Sequence, residues 1–183
     1  MDVALSTLLT IVPVIIPVVA TTSILVHNVG ISERHHRHHD TYLVAGTLTW
    51  SLVFAMVYMG ALGTLLVWLC AVGVFVSDPM MVLCFFDAFL IVTFGYWVLL
   101  RHYKVVTYED RLEVTPFFGP TTSINYQDIT LMEWAPSLLI AGRRNVRVHV
   151  GNKSSALLWS ALDLEQILIR IDRFDVFENY ALA

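Results

Sequence analysis

Tyr96 to Thr115 reads YWVLLRHYKVVTYEDRLEVT, and the chain changes character inside it. Up to Leu100 the residues complete a 21-residue apolar run, Met80 to Leu100, whose one charge is Asp87. Aromatic Tyr96 and Trp97 followed by Arg101 and Lys104 are the marks of a membrane helix leaving the bilayer on its cytoplasmic side. From Lys104 the pattern shortens. "KVVTY" (104–108) is rich in β-branched residues, "ED" makes a turn, and Leu112 and Val114 then alternate with Glu113 and Thr115. That alternation is the signature of half-buried strands. The boundary divides a transmembrane region, 1–103, from a small domain, 104–183.

Composition agrees with this division. The 183 residues are 57% hydrophobic and 14% charged, and of 11 Lys and Arg only Arg34 and Arg37 precede residue 101. Soluble domains run nearer ~25% charged. The net charge of −4 argues against a general nucleic-acid binder. Cys70 and Cys84 lie in apolar runs without metal-ligand spacing and imply no disulfide framework.

Two more apolar runs precede the boundary. Val3 to Val26 is uncharged and has no basic start, so it reads as a retained span, with Pro13 and Pro17 expected to kink it. Tyr42 to Val76 is uncharged for 35 residues. As one straight helix it would measure ~52 Å, too long for a ~30 Å hydrocarbon core. It is one span with a lead-in, or two short spans turning near Gly60 and Gly63. The basic loop with Arg34 and Arg37 and the segment from Arg101 both belong inside, so an even number of crossings separates them. That favours three spans, about 3–26, 52–76 and 80–100, with a His-rich loop at 27–41 and an interfacial or cytosol-projecting lead-in at 41–51. The expected topology is a multi-pass plasma-membrane protein with its N-terminus outside and its C-terminal domain cytoplasmic. Ala55, Gly60, Gly63 and Gly73 permit close helix contact, without the four-residue small-residue motif.

The domain continues with a turn at "FGP" (118–120) and strands in "TTSINY", "TLMEW", "NVRVHV" and "SALLWS". Leu164, Ile167, Leu168, Ile171 and Phe174 then share one helical face, with Asp163 placed to cap it and Gln166 as its capping-box partner. The expected fold is an α-helical membrane region followed by an α+β domain of about six antiparallel strands closed by a C-terminal helix.

Tyr108, Leu112 and Val114, then Gly119, Ile124, Tyr126, Asp128 and Ile129, then Ile167 and Ile171 form a pattern that resembles the bacterial membrane-tethered pleckstrin-homology-like (PH-like) families. In those families a helical hairpin leads into the first strand; this chain adds an N-terminal span. The residues carried over determine a fold and perform no chemistry, so the resemblance implies binding or scaffolding. Phosphoinositide-binding relatives use basic residues between the first two strands. Here that turn is Tyr108, Glu109, Asp110 and Arg111, which argues against such binding.

No nucleotide-binding, hydrolase or zincin motif occurs, and His149, Asp128 and Glu133 have the placement of surface and turn residues. The expectation is a non-enzymatic protein without cofactor, serving as a scaffold or accessory subunit with a protein partner or a second copy of itself. Three features stand apart. Asp87 is an intramembrane acid, ~10 Å below the outer end of its span, suited to ion or proton handling or to a hydrogen bond with Thr64. His35, His36, His38 and His39 in "ERHHRHHD" form a metal-binding, pH-responsive or plainly interfacial cluster. Arg143, Arg144 and Arg147 are candidates for anionic lipid or a partner, or a solvated hairpin tip.

Overall fold

A computed structural model describes residues 3–28, 39–137, 144–151 and 153–177. Two compact units divide the chain, with boundaries at Ser32/Glu33, Ala45/Gly46 and Leu99/Leu100.

The first unit holds three helices, each long and apolar enough to cross a membrane: α1 (Val3–Asn28), α2 (Gly46–Ala71) and α3 (Pro79–His102). The apolar run Tyr42–Val76 therefore holds one helix and not two. The helix sits earlier than the expected 52–76. It begins at Gly46, and its C-terminal end is set by Gly73. At φ +80°, Gly73 turns the chain so that the Val74 N–H reaches back to the Leu69 carbonyl at 3.0 Å. A left-handed glycine just past the last turn is the usual helix stop. Asp78 opens α3, its Oδ1 accepting from the Met80 N–H at 3.0 Å, with Pro79 at the first helical position.

Each helix buries one narrow stripe: Pro13, Pro17, Ala20 and Ile24 on α1; Val53, Met56, Gly60 and Gly63 on α2; Leu83, Phe86, Leu90, Thr93 and Trp97 on α3. Ala20, Ile24, Val53, Met56, Leu90 and Trp97 make one core. Spacings of three and four are those of helices packed side by side. The outer faces stay apolar and exposed, with Phe54, Trp68, Phe85 and Val92 among them, which is compatible with helices that cross a membrane.

The two buried glycines of α2, Gly60 and Gly63, serve different neighbours. A Cβ on Gly60 would stand 2.6 Å from the Pro13 carbonyl oxygen and 3.0 Å from Pro17 Cγ, whereas one on Gly63 would meet Phe86 Cγ at 2.7 Å. Pro17 has no N–H, so the Pro13 carbonyl lacks its donor in the helical ladder. The bare backbone of Gly60 is packed against that carbonyl.

The second unit is built of β1 (His39–Leu43), β2 (Lys104–Tyr108), β3 (Arg111–Thr115), β4 (Thr122–Asn125), β5 (Ile129–Pro136), β6 (Arg144–Val150), β7 (Lys153–Leu158) and α4 (Leu164–Ile171). They form two antiparallel sheets, β1-β2-β3-β4 and β5-β6-β7. The strands from Lys104 onward fall close to where the alternation places them, except that β7 starts at Lys153 and stops at Leu158, before Trp159 and Ser160. Val146 and Val148 are buried and Arg147 is not. Asp163 caps α4, its Oδ1 accepting from the Gln166 N–H at 3.2 Å. Ile167, Leu168 and Ile171 face the core, and Asp172 closes the helix at φ 49°.

Strand β1 corrects the sequence reading. The expected lead-in at 41–51 is not one segment: Thr41–Leu43 complete a strand that pairs residue by residue with β2, from His39↔Tyr108 to Leu43↔Lys104, and α2 already begins at Gly46. The Asp40 carboxylate also lies 3.6 Å from Arg170 on α4. The helical hairpin α2–α3 is thus inserted between two neighbouring strands of one sheet. Leu43 and Lys104 are paired, so the chain leaves the sheet and re-enters it at the same end.

Candidate functional site

That end of the sheet is the most distinctive place in the β unit. Leu43, Lys104 and Thr115 stand in one row across β1, β2 and β3, and the β3–β4 turn, 116–121, continues from it. Gly119 takes φ +102° in this turn, and the Thr115 and Thr121 hydroxyls meet at 3.0 Å across its base. Tyr103 is the single residue between α3 and β2. Its ring stacks on Phe117 with centroids 4.6 Å apart, and Trp159 stands edge-on to both.

The Tyr103 hydroxyl is used twice. It donates to the Leu157 carbonyl at 2.8 Å and accepts from the Trp159 N–H at 3.0 Å. These two backbone groups lie on the open edge of β7, where a further strand would otherwise pair, so one side chain satisfies the edge. The residue is 2% exposed, and burial pushes its hydroxyl up to about 12.

Beside this cluster lies an apolar pocket of about 400 Å³, lined by Tyr103, Pro116, Phe117, Phe118, Leu157 and Trp159 among others. Phe118 at its rim is 78% exposed. The pocket offers apolar and aromatic surface with no charged side chain. The sequence reading passed over it. Its signal was two adjacent phenylalanines in a turn bounded by Pro116 and Pro120, where polar residues are the rule.

The opposite end of the sheet carries the charges. His39 pairs with Tyr108, their rings 5.6 Å apart, and Glu109 and Asp110 form the exposed β2–β3 turn. Four strand steps separate His39 from Leu43, roughly 13 Å. His35, His36 and His38 lie outside the described residues, as does Arg143. Among the described residues no group of three His, Cys, Asp or Glu side chains is placed to hold a metal ion.

The remaining candidates are scattered. Arg144 is exposed at the start of β6. Arg147 is engaged on the face of its sheet, its Nη1 2.8 Å from Glu133 Oε1, and His149 Nε2 lies 3.1 Å from the same oxygen. Hydrogen bonds with His149 and Arg147 hold the Glu133 carboxyl below its ordinary range, that with His149 most strongly. Asp87 is 2% exposed on the packed face of α3, and neither carboxylate oxygen has a hydrogen-bond partner. Thr64 is not a partner either: its hydroxyl donates to the Gly60 carbonyl of its own helix at 2.8 Å and makes no hydrogen bond with Asp87.

Comparison of the chain with protein-family models, with curated proteins and with solved structures finds no match. The class of protein is therefore defined by architecture alone: three helices long and apolar enough to cross a membrane, and a small antiparallel β domain with a closing helix.

Proposed function

We propose that this is a non-enzymatic, multi-pass membrane protein whose PH-like β domain is a cytoplasmic interaction module, serving as a scaffold or accessory subunit of a membrane complex. The observation that carries the reading is the insertion of α2–α3 between β1 and β2. A domain stitched to both ends of a membrane hairpin is held at the bilayer, and its remaining surface is offered to a partner. Two antiparallel sheets closed by a capped helix support the PH-like resemblance. The pairing of β1 with β2 supports the orientation. It brings Leu43 and Lys104, the two ends of the hairpin, to one end of the sheet beside Arg101, and basic flanks favour the cytoplasm. Purification of the full chain from native membranes in mild detergent tests the role. The expected product is a stoichiometric complex with a second protein or a defined oligomer. A clean monomer retaining nothing overturns the reading.

Asp87 favours a second reading, a small oligomeric proton- or ion-handling component. An unpartnered acid on the packed face of a membrane helix is costly to keep. Asp87→Asn is expected to abolish proton-dependent flux in proteoliposomes, and unchanged flux removes this idea. Asp87→Leu is expected to raise resistance to denaturing detergent, because an apolar side chain there leaves no polar group unsatisfied.

A further inference from the structure

We infer that the β3–β4 turn, with Phe118 at its tip, inserts into the headgroup layer of the same bilayer that the helices span. Three observations converge on it. The turn lies at the sheet end where the chain passes to and from the membrane helices, in register with Leu43 and Lys104. Phe117 stacks at 4.6 Å on Tyr103, the residue directly after α3. Phe118 is 78% exposed in a stretch, Pro116 to Thr121, that contains no charge.

Chain geometry sets the reach. The headgroup layer is about 5–7 Å deep on each side of the hydrocarbon core. Consecutive Cα atoms are about 3.8 Å apart, so Tyr103 follows the last turn of α3 by one such step and Phe118 follows Phe117 by another. Phe118 therefore stands within reach of the interface where α3 ends. An exposed phenylalanine on an interfacial segment buries its ring at the boundary between headgroups and acyl chains, and Lys104 in the neighbouring strand is suited to lipid phosphate. Glu109 and Asp110, which such a surface would repel, occupy the other end of the sheet. The occupant is lipid and not a soluble ligand, because the tip is apolar, uncharged and covalently tied to a membrane span. The inference rests on the helices spanning a bilayer and is independent of the partner role proposed above.

The test uses the full chain in nanodiscs of phosphatidylcholine and phosphatidylglycerol. In a Cys70→Ala, Cys84→Ala background, an environment-sensitive fluorophore is attached at Phe118→Cys, at Pro120→Cys on the same turn, and at Asp110→Cys as the distal control. Spin-labelled lipid with its nitroxide near the headgroup is expected to quench both turn positions several-fold more than position 110, with blue-shifted emission at 118. Equal quenching at all three sites overturns the inference. So does a probe at 118 shielded from iodide yet untouched by spin-labelled lipid, which would mean that protein covers the turn. Neither outcome bears on whether a partner co-purifies, so the two readings fail separately.

Discussion

Gly60→Leu is expected to cost the helical unit more than about 3 kcal/mol of stability, at or beyond the upper end of overpacking penalties. The neighbour of the added Cβ is backbone: the Pro13 carbonyl oxygen at 2.6 Å, with Pro17 Cγ at 3.0 Å. A carbonyl inside a helix cannot swing aside as a side chain tip can. The close approach also has a positive side. The Pro13 carbonyl has lost its ladder donor to Pro17, and the Gly60 Cα–H groups packed against it can offer a weak C–H···O contact, about 0.5–1 kcal/mol. Gly60→Ala should therefore show most of the effect. Pro17→Ala restores an N–H for that carbonyl, so the two substitutions should be strongly non-additive. Gly95→Ala is the control. Its Cβ would meet nothing within 4 Å, and alanine in a helix is favoured by roughly 0.5–1 kcal/mol. Reversible unfolding in mixed micelles, followed by tryptophan fluorescence, measures all four. A Gly60→Ala protein as stable as Gly95→Ala would remove the proline–glycine contact as the basis of α1–α2 packing.

The same contact shows what a sequence does and does not reveal. Among the described residues, the four α-helices and six of the seven strands were legible because their signals are local: long uncharged runs, β-branched alternation, Asp163 three residues before Gln166. Strand β1 was not legible. Tyr42 and Leu43 merge into the apolar run of α2, and the partner that makes them a strand lies beyond two membrane helices. Gly60 and Gly63 were visible as small residues, but which helix each admits depends on where Pro13 and Phe86 arrive in space. Asp87 was conspicuous as the one acid in its run, yet the Thr64 hydroxyl expected beside it makes no hydrogen bond with it. The aromatic site failed for the same reason as β1. Tyr103 reads as the end of an amphipathic exit, and the backbone groups that it serves are 54 and 56 positions away.

Tyr103→Phe is the second large effect, expected to cost the β domain about 2–4 kcal/mol. The ring, and its stacking on Phe117, survive the change. What is lost is the oxygen, and with it the donor to Leu157 and the acceptor for Trp159 on the edge of β7. Each buried backbone group left unsatisfied costs about 1–3 kcal/mol. Tyr58→Phe, at an exposed position on α2, should change stability by less than about 0.5 kcal/mol. The hydroxyl also makes stability depend on pH. Burial raises the Tyr103 pKa to about 12 from an ordinary value of 10.0, so the folded state favours the neutral form. The resulting contribution is complete below pH 10 and disappears as pH rises from 10 to about 12, since a tyrosinate cannot donate to the Leu157 carbonyl. Tyr126, whose hydroxyl donates to the Tyr108 carbonyl at 2.8 Å, is also pushed up to about 12 by burial and acts in the same direction. Tyr103→Phe should therefore flatten the alkaline loss of stability without abolishing it, and adding Tyr126→Phe should flatten it further. Tyrosinate absorbance and β-sheet circular dichroism, recorded together through that pH range, decide the point. In the wild type, ionisation of the last two tyrosines should coincide with loss of the sheet signal, and a sheet that persists unchanged after they ionise would show that the hydroxyl at 103 holds no edge.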